Sequence, residues 1–362
     1  MNDQYFMQLA IDLAKKTKGQ TSPNPVVGAV VVKDGRIIGM GAHLKAGEAH
    51  AEVQALNMAG KETKGSTVYV TLEPCSHFGK TPPCAARLVK EQVKRVVVAM
   101  LDPNPLVSGN GIKILEDAGI EVDVGVLEAE AKKLNEAFIK YITKRMPFVT
   151  VKTAMTLDGK IATYTGSSRW ITGELAREYV HQLRHEHDAI MVGSGTIIKD
   201  NPSLTTRREV EGLNPLRIIV DSRLSIPLEA KVITDKQAVT WIFTSKKVDR
   251  NKQKKIEEFG VKVIVTESEE KVCLVDVLKY LASNHVTSLL VEGGATLIGS
   301  LFEQKLVDKY ISFIAPKLVG GQEAPSVIAG KGIANMHDAL LLDNVTFERF
   351  GEDFCITGYP KY

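Results

Sequence analysis

A chain of 362 residues is long enough for two domains that each bury a core. Hydrophobic content of 44% beside 25% charged residues excludes a disordered or fibrous chain, and no signal peptide or membrane span is visible. The net charge of +3 contains no concentrated basic run, since Lys252 to Lys255 reads as one solvated helix face; neither nucleic acid nor a membrane is expected as partner, while a phosphorylated small molecule is compatible. Four cysteines are too few for a disulfide framework and point to a reducing cytoplasm.

Apolar residues at helical spacing from Tyr5 to Ala14, with Asp3 near the start, predict an amphipathic helix. Val26 to Val32 and Ile37 to Met40 flank Asp34-Gly35, a hairpin signal. A helix from about Glu48 to Ala59, a strand over Thr67 to Leu72, a helix from Cys84 to about Gln92 and a strand over Arg95 to Met100 follow. This places His50 and Glu52 in the first turns of one helix and Cys84 at the start of another, where the helix dipole favours a thiolate.

The chemistry lies in His50-Ala51-Glu52, Glu73-Pro74-Cys75 and Pro82-Pro83-Cys84. One imidazole and two thiolates can hold a zinc ion and leave its fourth position open to water, beside which Glu52 can move protons. Zinc nucleobase deaminases share the H-x-E and P-C elements, but eight residues, Ser76 to Pro83, separate the cysteines here instead of two. The alternative is a four-ligand zinc site that only staples the fold, with His77 as fourth ligand; such a site has no use for Glu52.

A strand over Asp123 to Val126 and a helix over Glu128 to Lys144 are predicted next, and Lys144-Arg145-Met146-Pro147 then breaks the pattern. The domain boundary is placed there, giving domains 1–145 and 146–362. Strands over Phe148–Ala154, Ala189–Val192, Arg217–Val220, Thr240–Thr244, Lys262–Val265 and Ser288–Val291 then alternate with helices. Those helices fall near Gly173–His185, Asn251–Phe259, Val275–Ser283 and Leu297–Phe302, so a mostly parallel α/β sheet is expected. Lys309–Ile314 and Asn344–Thr357 are expected to close an antiparallel edge.

Two glycine turns sit at strand ends. Gly193-Ser194-Gly195-Thr196 begins like a dinucleotide fingerprint but has Ile198 at the third glycine position. Glu292-Gly293-Gly294-Ala295-Thr296, between a buried strand and a helix, offers bare backbone for a pyrophosphate; the alternative is a tight turn without ligand.

Several longer stretches resemble the bifunctional deaminase/reductase of riboflavin biosynthesis. In the first half these are Asn24-Pro25-x-Val-Gly, His50-Ala51-Glu52, Thr71 to Cys84 with its long insert, and Asp102-Pro103-Asn104-Pro105. In the second half they are Lys152 to Ala162, Ser168-Arg169-Trp170-Ile171-Thr172, Asp200 to Thr205 and Val291 to Gly294. The resemblance implies an α/β protein with an N-terminal cytidine-deaminase-like three-layer domain and a C-terminal dihydrofolate-reductase-like domain. It implies zinc-dependent deamination of a diaminopyrimidinone bearing a ribosylamino 5′-phosphate, then reduction of the opened ribose to a ribityl chain by NADPH.

Carried over by position, His50, Cys75 and Cys84 are the zinc ligands and Glu52 the general acid/base, with Asn24, His43, His77, Lys80 and Asn104 lining the deaminase pocket. Ala154, Trp170, Thr196, Asp200, Ser222, Gly294, Ala295, Thr296, Leu297, Ile298, Gly299 and Ser300 would contact NADP. Ser168, Arg184, Leu204, Arg207 and Glu292 would contact the reductase substrate, the two arginines as a phosphate clamp. Ser222-Arg223 would read the 2′-phosphate of the cofactor. A homo-oligomer in the cytoplasm is expected. Two rival readings fit the same residues: a deaminase of tRNA or cytidine with an appended domain, and a zinc-stapled binding module whose glycine turns are only architecture.

Overall fold

The computed structural model describes residues 2–76, 83–105 and 107–362. The chain divides into two compact units, Met1–Met146 and Pro147–Tyr362.

The first unit contains α1 (Asp3–Lys15), the hairpin β1 (Gly28–Lys33) and β2 (Arg36–Ala42), α2 (Ala51–Ala59), β3 (Thr67–Val70), α3 (Cys84–Lys90) and β4 (Arg95–Val98). It ends with α4 (Asn110–Asp117), β5 (Glu121–Val124), α5 (Glu128–Leu134) and α6 (Glu136–Lys144). The sheet order is β2-β1-β3-β4-β5. β2, β1 and β3 pair antiparallel, while β3, β4 and β5 pair parallel. The hairpin turns on Asp34 and Gly35, both at positive φ (50° and 76°), as a tight Asp-Gly turn requires.

Helices cover both faces of this sheet. A Cβ on Gly28 would lie 2.0 Å from the Ala10 carbonyl oxygen of α1, and one on Gly41 would lie 2.3 Å from the Ala51 carbonyl oxygen of α2. Gly41 sits opposite Ala29, the neighbour of Gly28, so the two glycines point to opposite faces. The absence of side chains there lets α2, which carries the chemistry, lie directly on the sheet. β1, covered on both sides, accordingly reads as an unbroken apolar run.

Four local expectations change. α2 begins at Ala51 rather than near Glu48, with His50 as its extended N-cap residue. β5 lies two residues earlier than expected, over Glu121–Val124. α4 was not legible as a helix. The helix expected over Glu128 to Lys144 is two helices, because buried Asn135 leaves helical geometry and its side-chain amide clasps both the N–H and the carbonyl of Val26, each at 3.0 Å.

In the second unit β6 (Phe148–Thr156), α7 (Glu174–Glu186), β7 (Ala189–Gly193), α8 (Ser194–Asp200), β8 (Leu216–Val220), α9 (Lys231–Thr234) and β9 (Thr240–Thr244) come first. Then follow α10 (Arg250–Glu258), β10 (Lys262–Val265), α11 (Leu274–Ser283), β11 (Ser288–Glu292), α12 (Ala295–Glu303), β12 (Lys309–Ala315), β13 (Leu341–Phe350) and β14 (Asp353–Lys361). The order in the sheet is β10-β9-β8-β7-β11-β6-β12-β14-β13. Strands from β10 through β12 pair parallel; only β14 and β13 are antiparallel. Lys309–Ile314 runs parallel to β6 and pairs antiparallel with β14, so it joins the parallel set to the expected antiparallel edge, and the Asn344–Thr357 stretch is a hairpin turning at Gly351. Ile190, Val192, Ile219, Ile242 and Ile256 pack into one core cluster, and Leu183, Leu290, Ile311 and Phe313 into another.

The chain runs outward from β7 to β10 and then returns to insert β11 between β7 and β6. Ligands of open α/β sheets bind at the carboxyl ends of strands beside such a reversal. Glu292, Gly193 and Ala154 lie at or near those ends.

Candidate active sites

In the first unit, α2 supplies His50 as N-cap and Glu52 in its first turn, the loop after β3 supplies Cys75, and Cys84 opens α3 behind Pro83. One donor atom from each of His50, Cys75 and Cys84 lies within 4.8 Å of the others. His50 Nδ1 is 3.6 Å from Cys75 Sγ and 3.3 Å from Cys84 Sγ. Zinc bonds of about 2.3 Å to sulfur and about 2.0 Å to nitrogen, set tetrahedrally, bring such atoms to about 3.5 Å, so the donor set fits zinc. The Cys84 backbone N–H also donates to Cys75 Sγ at 3.3 Å, a first-turn contact that favours thiolate. Hydrogen bonds from the Cys84 thiol and His50 hold the Cys75 thiol well below its ordinary value, so it is the readier thiolate of the pair.

Glu52 is only 4% exposed, and burial, reinforced by the Cys75 charge, raises its carboxyl to about 7. A group poised there can take and return a proton at neutral pH. His43 is buried, and burial lowers its pKa. Its Nδ1 donates to the Ala49 carbonyl at 3.3 Å, which leaves Nε2 to accept from Asn24 Nδ2 at 3.1 Å. That bond fixes the amide of Asn24, and Asn24, His43, His50, Glu52 and Asn104 all line one cavity of about 260 Å³, with Phe138 and Ile142 as apolar wall. His77 and Lys80 lie outside the described residues.

Glu73, in the sequence one member of the Glu73-Pro74-Cys75 motif, also lines the cavity. Its buried carboxylate accepts N–H groups from Asp102 (3.1 Å), Gly109 (3.0 Å) and Gly111 (2.9 Å), tying the zinc loop to the segment that carries Asn104. A Cβ on Gly111 would lie 2.0 Å from the Pro74 carbonyl oxygen, so only glycine lets that segment approach.

The second unit gathers Arg184, Leu204, Thr205, Arg207 and Glu292. Arg184 of α7 grips Glu292 at the end of β11 with Nε at 2.7 Å and Nη2 at 3.0 Å, and its Nη1 donates to the Thr205 carbonyl at 2.9 Å. Lys152 of β6 adds a 3.3 Å contact to the same carboxylate. Burial alone would raise the Glu292 pKa, but Arg184 and Lys152 outweigh it and hold the group ionised. This alters the expected clamp: Arg184 is a buried anchor for Glu292, and Arg207, which is exposed, is the guanidinium offered outward. Removing one partner of such a buried pair costs roughly 3–5 kcal/mol, so Arg207 is the cleaner probe of substrate binding.

For the cofactor, Gly293 and Gly294 both have positive φ (82° and 80°), and Gly294 caps α12. A Cβ on Gly293 would meet Thr196 Oγ1 of α8 at 3.3 Å, so the turns after β11 and β7 face each other. Two adjacent glycine turns, one opening a nine-residue helix with no side-chain cap, make a cradle that a pyrophosphate fits. Ala295 and Thr296 begin that helix; the side chains of Leu297 and Ile298 are buried in the core, and a Cβ on Gly299 would lie 1.8 Å from the Ala329 carbonyl oxygen, so any contact these three make to a cofactor is through backbone. Ser300 lies one residue further along α12. Trp170 is 64% exposed under the Arg177 guanidinium, 4.7 Å from its ring, and is thus no core aromatic. Arg169 donates to the Asp200 carbonyl at 3.2 Å, which brings the Ser168–Trp170 segment to the end of α8. Ser222 is held at the end of β8, its Oγ accepting the Val272 N–H at 3.1 Å, beside exposed Arg223.

The fold and sites define a zinc-binding, cytidine-deaminase-like unit joined to a dihydrofolate-reductase-like unit. Residues 1–100 match the cytidine and deoxycytidylate deaminase zinc-binding region, and residues 147–356 match the RibD C-terminal domain. The chain is 48% identical to the riboflavin biosynthesis protein RibD of Bacillus amyloliquefaciens over 99% of its own length and 96% of that protein. Among solved structures it superposes on Acinetobacter baumannii RibD with a TM-score of 0.90 at 40% identity, covering 99% of each chain. It also superposes, at a TM-score of 0.86 and 38% identity over 99% of each chain, on a Thermotoga maritima diaminohydroxyphosphoribosylaminopyrimidine deaminase/5-amino-6-(5-phosphoribosylamino)uracil reductase. The chain belongs to the RibD family of riboflavin-biosynthesis proteins.

Proposed function

We propose that this chain carries out two consecutive steps of riboflavin biosynthesis. The first deaminates 2,5-diamino-6-ribosylamino-4(3H)-pyrimidinone 5′-phosphate; the second reduces the ribosyl side chain to give 5-amino-6-(5-phosphoribitylamino)uracil. The observation that carries this reading is Glu52, buried in one cavity with His50 and Cys75 of the metal triad and not needed by the donor cluster.

Zinc held by His50, Cys75 and Cys84 would supply Lewis-acid activation of water at that cavity. The other tasks fall to side chains. Asn24, its amide set by His43, and Asn104, its segment set by Glu73, hydrogen-bond the ring and orient it. Glu52 takes the proton of the attacking water and passes one to the departing amino nitrogen, so that ammonia leaves and a ring carbonyl remains. Lys80 is assigned to the ribose phosphate on sequence grounds.

NADPH would supply a hydride to C1′ of the opened ribose in the second unit, with water or the substrate's own groups supplying the accompanying proton. The Gly293-Gly294 turn offers backbone N–H groups to its pyrophosphate, and Ser222-Arg223 is assigned to the 2′-phosphate on sequence grounds. Glu292, kept ionised by Arg184 and Lys152, accepts sugar hydroxyls, and Arg207 takes the substrate phosphate. Among the described residues no helix is long and apolar enough to cross a membrane. Cys75 and Cys84 belong to the metal cluster and Cys273 and Cys355 form no disulfide, which supports a reducing, cytoplasmic setting.

The test divides the chain at the proposed boundary. Residues 1–145 should bind zinc and release ammonia, and residues 146–362 should oxidise NADPH only when given the deaminated product. The reverse assignment, or NADPH oxidation with undeaminated substrate, contradicts the reading. We also assign a homo-oligomer contact to the second unit: edge strand β13 exposes Phe347 (72%), and Phe354 of β14 (51%) lies diagonally across from it on the same face. Light scattering of the 146–362 fragment should therefore give more than one chain's mass.

A further inference from the structure

We propose that His181 and His185 of α7 form a paired latch that sets the position of Arg207, which makes His181 a positioning residue for the second reaction; this rests on the reading of Arg207 as the contact to the substrate phosphate. The segment from Asn201 to Pro215 contains no helix or strand, yet it carries Arg207. An exposed arginine on an irregular segment binds a phosphate well only if its backbone is held, since each freed rotor must be ordered on binding.

The hold comes from one face of α7. His181 and His185 are four residues apart, hence neighbours on the helix surface. His181 Nδ1 accepts the backbone N–H of Arg207 at 3.2 Å, and His185 Nδ1 accepts that of Leu213 at 3.0 Å. Between them lies Arg184, whose Nη1 donates to the Thr205 carbonyl. The segment is also closed on itself, because Thr206 donates its N–H to Asn214 Oδ1 at 2.8 Å. It packs tightly at Gly212, where a Cβ would meet Thr206 Cγ2 at 2.8 Å and His185 Nδ1 at 3.4 Å. The Arg207 side chain is steered in turn, with Nη1 3.2 Å from Thr205 Oγ1.

Both imidazoles act through an Nδ1 lone pair, so each must be neutral with its proton on Nε2. Their surroundings enforce this. His181 faces Arg184, Arg207 and Glu292, and burial with the two guanidinium charges lowers its pKa to about 4. His185 faces Arg208 and Glu186, and burial with the Arg208 charge lowers it too. A leucine at either position keeps bulk and removes the acceptor. An asparagine at position 181 returns an acceptor oxygen near the place of Nδ1.

The experiment compares His181→Leu, His181→Asn, Arg207→Gln and the double variant His181→Leu/Arg207→Gln in the full-length, zinc-loaded protein, with deaminated substrate and NADPH supplied. His181→Leu is expected to raise KM for the deaminated substrate about tenfold with kcat within about twofold, since a misplaced binding group weakens substrate without touching hydride transfer. His181→Asn should restore most of that loss, and ammonia release from the diaminopyrimidinone ribotide, measured in a separate assay, should be unchanged in all four. Arg207→Gln should raise KM at least as much, and the double variant should be no worse than Arg207→Gln alone. If Arg207→Gln leaves KM unchanged, the reading of Arg207 fails and the latch falls with it. If Arg207→Gln raises KM but His181→Leu does not, or the two effects multiply, the latch is overturned while Arg207 keeps its role.

Discussion

Glu52→Gln is expected to keep its zinc and its fold while deamination falls by about 10²–10⁴-fold, the range associated with losing a positioned acid/base. Three other residues, His50, Cys75 and Cys84, already form the donor cluster, so the metal does not need Glu52. Glutamine matches the glutamate in size and fills the same buried space in the first turn of α2, but it cannot hold a proton in transit. Burial raises the carboxyl above its ordinary range, which moves it toward the pH at which an acid/base works best. Metal analysis beside an ammonia assay checks the prediction. Near-normal turnover in a folded, zinc-loaded variant would mean that the proton moves through another group.

The second large effect is expected at Gly294→Val, which should lose NADPH binding by more than about 100-fold and leave ammonia release intact. Gly294 sits at φ 80°, ψ 85°, a conformation open to glycine and costly, by roughly 1–3 kcal/mol, for a side chain branched at Cβ. A Cβ there would stand 3.6 Å from Thr196 Oγ1 and 3.8 Å from the Gly193 nitrogen, between the two glycine turns. The branches of valine would then occupy the ground where the pyrophosphate must approach bare backbone. Fluorescence titration of NADPH reads the loss, with deamination as the control for the rest of the chain. Unchanged affinity would show the turn to be architecture only. A preference of the native protein for NADH would separately remove Ser222-Arg223 as the reader of the 2′-phosphate.

The metal site was legible because its chemistry is written in short motifs: a histidine and a glutamate two apart on a helix start, and cysteines after prolines. The hairpin at Asp34-Gly35 and the α/β alternation were legible for the same reason, since both are local patterns. What stayed hidden depends on distant partners. Asn135 breaks a helix because it bonds Val26, 109 residues away, and no periodicity reports that. Glu73 organises a pocket wall whose donors lie 29 to 38 residues further on. Arg184 was read as half of a phosphate clamp, but Glu292, 108 residues later, claims its guanidinium. Leu297, Ile298 and Gly299 matched by position, and only the packing of α12 shows that their side of the helix faces the core and Ala329.

One coupled assay tests the central claim most directly. The full-length protein, loaded with zinc and given NADPH and the diaminopyrimidinone ribotide, is followed for ammonia and for NADPH in the same cuvette. Two consecutive activities on one chain predict one ammonia released for each NADPH oxidised, with ammonia appearing first and NADPH loss following after a lag. No ammonia from the zinc-loaded protein, or NADPH consumed without prior deamination, would contradict the account.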